Sequence, residues 1–285
     1  MSFLCVNRIG RTVPFLCALL CPTVAGCVPG ERTSAPGCPD RLAAGEHSLF
    51  FVYEGVRREY LVHLPEKRPA SKRMPLLLVF HGLGGSAREQ MEESGFNALS
   101  DRHRFAVAYP DGIANGDGGR AWNGGLCCAF DQPDRDDVGF VRALVREISR
   151  KTCIDPKRVY AAGGSNGGHL AYRLACEASD LVAAVGSVIG VLLIPPKRCR
   201  PSRPVPVLHI HGTADAIVPY RGGRTIRGLD YPSVPEVLRF FRRLNGCEER
   251  ERVWLSAGPV RCSSPRRCRD RGEVAHCRIE RMGHC

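Results

Sequence analysis

The chain has 285 residues, 44% of them apolar, enough for one large domain with a full hydrophobic core and too many for a disordered chain. The net charge of +12 is scattered, and 36 of the 41 basic residues are arginine. No RNA- or DNA-reading motif accompanies it, so nucleic acid is not expected as a partner.

In chain order, Arg8 and Arg11 form a basic start, followed over 13–24 by an apolar stretch too short to span a bilayer. It ends in Val24-Ala25-Gly26-Cys27, which resembles a bacterial lipobox; an ordinary small-residue cleavage site nearby is the alternative. Residues 1–26 are therefore expected to be a lipoprotein-type signal peptide, with Cys27 the lipid-attachment site. Residues 27–46 are expected to be a flexible tether, and 47–285 one folded domain. This implies export to an extracellular or periplasmic location, with membrane contact only through the N-terminal lipid. Fifteen cysteines agree, since they read as disulfides in an oxidising compartment. Removing Cys5, Cys17, Cys21 and Cys27 leaves eleven, an odd number, so one thiol is free or its partner lies outside this chain.

Residues 48–53 and 57–64 flank Glu54-Gly55 and predict a hairpin. Residues 75–80, Pro-Leu-Leu-Leu-Val-Phe, form an apolar run suited to a strand buried on both faces. A strand is expected at 105–109, then a long glycine-rich loop over 111–136. Asp137 is placed as the cap of a helix with Val141, Leu144, Val145 and Ile148 on one face. A strand at 158–162 and a helix at 169–177 bracket Gly163-Gly-Ser-Asn-Gly-Gly168. Further strands are expected at 183–188, 205–210 and 274–280. Ser233-x-x-Glu236 is a capping box for a helix carrying Val234, Val237, Leu238 and Phe241, which Asn245-Gly246 stops. Alternating strands and helices predict an α/β fold, mostly a parallel sheet with helices on both faces.

Between a strand and a helix, Gly163-x-Ser165-x-Gly167 is a nucleophile elbow, which makes the domain an α/β-hydrolase and Ser165 the candidate nucleophile. In such a fold the carboxylate and then the histidine follow the serine along the chain. His211-Gly-Thr-Ala-Asp215 directly follows a strand, making Asp215 the candidate acid. His169 is expected to line the site, His276 lies within a strand, and His284 sits where the base belongs. His209 and His211 alternate like a metal pair but lack neighbouring ligands, and no paired C-x-x-C elements exist, so no metal is expected. The oxyanion hole needs two backbone N–H groups: Asn166 after the nucleophile, and Leu83 in His81-Gly-Leu-Gly-Gly85. Trp122 is a candidate wall of the acyl pocket, with a buried structural tryptophan the alternative. Cys127-Cys128 reads as one half of a disulfide.

These motifs recur together in one group. His81-Gly-Leu-Gly-Gly85, Tyr109-Pro-Asp-Gly112, Trp122-Asn-Gly-Gly-Leu-Cys-Cys128 and Asp136-Asp-Val-Gly-Phe140 are followed by Asp155-Pro-Lys-Arg-Val-Tyr160, the elbow, His211–Asp215 and Gly283-His284. The combination resembles the polyhydroxybutyrate depolymerase and feruloyl esterase group of carbohydrate esterase family one. The resemblance implies a cofactor-free serine esterase acting on feruloyl or acetyl esters of plant cell-wall polysaccharide, or on short polyesters. Cys153, Cys176, Cys247, Cys268 and Cys277 also fall where disulfide-rich feruloyl esterases carry cysteines. The family pattern continues beyond the histidine to Trp-Pro-Gly and a helix, whereas here Cys285 is last. The chain therefore reads as truncated, with Cys277 a candidate partner for Cys285 to hold the end. A catalytically inactive, surface-tethered binding protein on a broken scaffold is the rival from another class.

Overall fold

Gly45–Tyr53 (β1) alternates exposed and half-buried side chains and pairs antiparallel with Val56–Leu64 (β2). Glu54 and Gly55 make the turn, both at positive φ. The computed structural model describes Pro39 and residues 41–67, 73–116, 118–128, 134–225 and 228–284. The expected signal segment, Cys27 and Cys285 lie outside the described residues. β1 starts at Gly45, and Arg41 N–H bonds Lys151 O at 2.9 Å.

Met74–Phe80 (β3) is followed by two short helices, Ala87–Ser94 (α1) and Phe96–His103 (α2), and by Ala106–Pro110 (β4). Neither helix is predicted by the apolar periodicity of the sequence. α1 buries only Ala87 and Met91, so it has no apolar stripe, but Ser86 accepts a bond from Glu89 N–H as its cap. That Ser86-x-x-Glu89 pattern was the available signal. Within the expected 111–136 loop, Ile113–Ala114 (β5) pairs with Arg120–Ala121 (β6). Asp136, one residue before the expected cap, caps Asp137–Lys151 (α3) by accepting from Gly139 N–H.

Ile154–Gly164 (β7) leads through Ser165 into Asn166–Glu177 (α4), and Ala184–Val188 (β8) and Val207–Gly212 (β9) follow. Gly223–Arg224 (β10) pairs with Asp230–Tyr231 (β11). Val234–Leu244 (α5) starts at the Ser233–Glu236 capping box and ends at Asn245. Glu251–Ala257 (β12) and Val260–Pro265 (β13) form a hairpin that the sequence reading did not anticipate, and Val274–Ile279 (β14) closes the sheet.

The ten-stranded sheet runs β1-β2-β4-β3-β7-β8-β9-β14-β13-β12. From β4 to β14 neighbours are parallel, and both flanks are antiparallel. Period-two alternation divides the core. Leu76, Leu78 and Phe80 of β3 join the main cluster with α3, α4 and α5 residues, while Val79 packs with Met91, Val107 and Tyr109 on the other face. Both faces are thereby covered, which explains the apolar run in β3. This is the α/β-hydrolase fold. Among the described residues no helix is long and apolar enough to cross a membrane.

Disulfides join Cys176 to Cys199, Cys247 to Cys268, and Cys262 to Cys277. Cys277 is therefore not available to Cys285. Residues 262 and 277 are direct cross-strand partners on β13 and β14, which brings their sulfurs together. Cys127 and Cys128 bond each other rather than a distant partner.

Candidate active site

Ser165 stands at the end of β7 with φ 50° and ψ −115°, a conformation costly for a non-glycine residue by about 1–3 kcal/mol. Its N–H is tied to Val188 O on the neighbouring strand at 2.8 Å. The flanking glycines are required by contact: a Cβ on Gly163 would lie 2.5 Å from Gly167 C, and one on Gly167 would lie 2.2 Å from Phe80 O. α4 therefore begins at Asn166, earlier than the expected 169, because the glycines are part of the helix.

The other two residues arrive by strand pairing. β9 and β14 run parallel in register from Val207↔Val274 to Gly212↔Ile279, so the loops after them emerge side by side. Thr213 N–H donates to Ile279 O and Ala214 N–H to Met282 O, both at 3.0 Å, and Arg281 N–H donates to Thr213 Oγ1 at 2.9 Å. These bonds seat His284 beside Asp215. His284 Nδ1 lies 2.8 Å from Asp215 Oδ2, and His284 Nε2 lies 3.1 Å from Ser165 Oγ. The three residues named from chain order thus meet in one line.

Asp215 Oδ1 accepts from the N–H groups of Ile217 and Val218 at 2.9 and 2.8 Å. Burial alone would raise the Asp215 pKa. Hydrogen bonds from His211, His284 and Val218 N–H outweigh it and hold the carboxyl below the usual carboxylate range. With an ionised acceptor at Oδ2, His284 Nδ1 carries the proton, which leaves the Nε2 lone pair facing Ser165 Oγ. That arrangement can withdraw the hydroxyl proton as Oγ attacks a carbonyl.

Leu83 and Asn166 flank the serine. The Leu83 loop is pinned by His81, whose Nδ1–H donates to Gly82 O at 2.6 Å while Nε2 accepts from Gly112 N–H at 2.9 Å. Asn166 is the first residue of α4, so its N–H has no partner inside the helix. Its side chain grips Trp122 at both ends, Oδ1 accepting from Trp122 N–H at 2.7 Å and Nδ2 donating to Trp122 O at 2.9 Å. Trp122 itself does not line the pocket. It is fully buried, its ring centroid 5.3 Å from Phe80 and 5.0 Å from His81, and its indole N–H donates to His81 O. The tryptophan supports both oxyanion candidates from behind, and its burial corrects the expected pocket role.

The cavity at Ser165 and His284 holds about 320 Å³, walled by Leu83, Cys127, Cys128, Val218, Leu229 and Tyr231. His169 also lines it, as expected, and burial lowers its pKa to about 4, which keeps the ring neutral. A larger cavity of about 990 Å³, lined by Leu126, Leu193, Arg239 and Phe240 among others, contains none of Ser165, Asp215 or His284. Ser165 and His284 open onto the smaller one. Among the described residues no group of His, Cys, Asp and Glu side chains is placed to hold a metal ion.

One structural anchor is not marked by any sequence pattern. Asp137, fully buried, accepts from Arg58 at 3.1 Å, from Arg135 Nε at 3.0 Å and from Asn123 N–H at 2.7 Å. It fastens the 122–128 pocket wall to β2 and α3. The doubled Asp136-Asp137 was visible, but two adjacent carboxylates do not reveal which one turns inward.

Residues 58–221, a span containing the elbow and Asp215, match the family described as esterase PHB depolymerase. The chain belongs to that family. NocK of Nocardia uniformis subsp. tsuyamanensis, a protein assigned as an esterase, is 40% identical over 213 residues, 70% of this chain and 60% of its own length. Feruloyl esterase B of Piromyces equi is 33% identical over 236 residues, 80% of this chain and 42% of its own. The chain thus spans between about two-fifths and three-fifths of these relatives. The fold is shared with an acetyl xylan esterase from Aspergillus awamori, with a TM-score of 0.63 at 13% identity, covering 85% of this chain and 94% of that one.

Proposed function

We propose that the protein is an exported serine esterase that hydrolyses small acyl esters, feruloyl or acetyl, carried on plant cell-wall polysaccharide. The observation that carries this reading is the hydrogen-bonded line from Asp215 through His284 to Ser165 at the mouth of an apolar cavity. Ser165 Oγ attacks the ester carbonyl while His284 Nε2 takes its proton. The N–H groups of Leu83 and Asn166 stabilise the oxyanion, and His284 returns the proton to the departing alcohol. Water, activated by the same histidine, then releases the acid from the acyl-serine. Asp215 orients the histidine and stabilises its charged form. No cofactor is required by these steps.

A cavity of about 320 Å³ lies at the small end of ligand sites and suits one acyl group. The feruloyl option draws support from the Piromyces equi relative, whose name states that activity. The family's description supports a second reading, depolymerisation of short polyhydroxyalkanoates. The bridges Cys176–Cys199, Cys247–Cys268 and Cys262–Cys277 support an oxidising compartment, and hence export through the 1–26 segment; attachment at Cys27 rests on the Val24–Cys27 pattern alone.

The test is hydrolysis of methyl ferulate, p-nitrophenyl acetate and poly(3-hydroxybutyrate) by the full chain beside Ser165→Ala. The alanine variant should lose about 10⁴-fold or more in kcat. A wild-type chain that neither turns over any of these esters nor is labelled by a fluorophosphonate would support the binding-protein reading instead. Preference for poly(3-hydroxybutyrate) would favour the depolymerase.

A further inference from the structure

Asp215 has a second histidine on the oxygen that faces His284. His211 Nε2 lies 3.3 Å from Asp215 Oδ2 and 2.9 Å from Val218 O. Both neighbours can only accept, so Nε2 carries the proton. The ring has no exposed surface, and a neutral imidazole with a proton on Nε2 has a lone pair on Nδ1. That lone pair faces His209 Nε2 at 3.1 Å, which must therefore donate. His209 is likewise fully buried, and desolvation, followed by its histidine neighbours, holds it neutral. Its Nδ1 is then an acceptor, and Tyr172 O–H donates to it at 2.9 Å. Every proton in the row is thus assigned, and every donor points the same way.

We propose that Tyr172, His209 and His211 form a positioning relay that holds Asp215 Oδ2 against His284 and moderates the negative charge it offers. The inference rests on the proposed Ser165–His284–Asp215 reading and extends it into the sheet. The single His211 Nε2 proton is shared between Val218 O at 2.9 Å and Oδ2 at 3.3 Å, so part of the carboxylate charge is drawn towards His211, and His284 meets a less basic carboxylate than it would alone. The Ile217 and Val218 N–H groups hold the other oxygen, so His211 acts on the one atom that touches the base.

The titratable groups around His211 come from four sides. His209 shares its strand, and Tyr172 and His169 approach from α4. His276 lies on β14, its ring centroid 5.7 Å from that of His209. Asp215 and Tyr220, whose ring centroid is 5.9 Å from His211, lie on the following loop. Arg278, the β14 residue paired with His211, reaches Tyr220, and burial lowers the pKa of His276 to about 4, so in neutral solution the charged groups near His211 are Asp215 and Arg278.

The experiment compares wild type, Ser165→Ala, His211→Phe and His211→Gln on p-nitrophenyl acetate across pH. Phenylalanine keeps the ring shape and loses the donor, whereas glutamine keeps an N–H near the Nε2 position. His211→Phe should lose about ten- to a hundredfold in kcat with KM nearly unchanged, the usual effect of a lost hydrogen bond to a charged group. Its acid limb in kcat/KM should move to higher pH, because an unshared carboxylate stabilises the imidazolium form of His284 more strongly. His211→Gln should recover most of the rate and the limb. A His211→Phe enzyme with the wild-type rate and limb overturns the relay. So does an equal rate loss in both variants with no movement of the limb, which is what a merely structural residue would produce.

¹⁵N-histidine NMR of the wild-type full chain decides the matter even if His211→Phe does not fold or no ester is turned over. His209 and His211 should both be neutral, with the proton on Nε2. A proton on Nδ1 of either ring overturns the relay, whereas loss of esterase activity in wild type counts against the Ser165 reading alone.

Discussion

Replacing Asp137 by asparagine tests the anchor that holds the pocket wall. Among the described residues, Asp137 is the carboxylate paired with two guanidiniums, Arg58 and Arg135, whose side chains are 2% and 5% exposed. Asparagine keeps the shape and can still accept from Asn123 N–H, but it leaves two buried cations without a counter-charge. Breaking a buried pair by removing one partner costs about 3–5 kcal/mol, and two stranded cations place this case near the upper end. A domain of this size loses about 2–4 °C per kcal/mol, so Tm should fall by about 10–15 °C. Guanidinium unfolding followed by circular dichroism measures the loss, with Asp134→Asn, an exposed neighbour, expected within about 0.5 kcal/mol of wild type. Esterase rate should fall at temperatures where the variant is still folded, because Asn123 and the wall at Cys127 and Cys128 hang from this carboxylate. An Asp137→Asn protein within about 1 kcal/mol of wild type would refute the argument that these charges are desolvated and mutually dependent.

Gly167→Ala places a Cβ 2.2 Å from Phe80 O, so the elbow must shift and activity should fall by about a hundredfold or more; wild-type kcat would refute the packing argument. Opening the Cys262–Cys277 bridge with paired alanines releases a loop of 15 residues and should cost about 3 kcal/mol by denaturant unfolding, while loosening the segment that carries His284. His169 protonates near 6.5 when unfolded and only at about 4 when folded, chiefly because of its burial. Between those values the unfolded chain binds the extra proton, so stability should fall as pH drops through that window, by up to about 3 kcal/mol. His169→Gln should flatten that acid slope in urea titrations, and an unchanged slope would refute it. Ser233→Ala removes the α5 capping box and should cost about 1 kcal/mol without changing KM.

What the sequence determined alone is what neighbours along the chain can enforce. A sharp turn between a strand and a helix needs glycines at fixed spacing around the serine. A buried strand needs an apolar run, and a helix start needs a capping pair. From those local demands came the sheet, its helices and the order Ser165, Asp215, His284. Where chain neighbours do not decide, the reading failed or stayed open. Trp122 could wall a pocket or fill a core, and only the grip of Asn166 and the packing of Phe80 put it in the core. Asp136 and Asp137 are chemically alike, and the approach of Arg58 from a strand 79 positions away decides which one is buried. Cysteine partners depend on which strands lie side by side, so Cys262 met Cys277 across β13 and β14. β12 escaped notice because all seven of its residues are exposed and no buried stripe marks it. The second histidine on Asp215 also required the tertiary structure: hydrogen bonds are short and directional, and sequence spacing cannot aim two rings at one carboxylate oxygen.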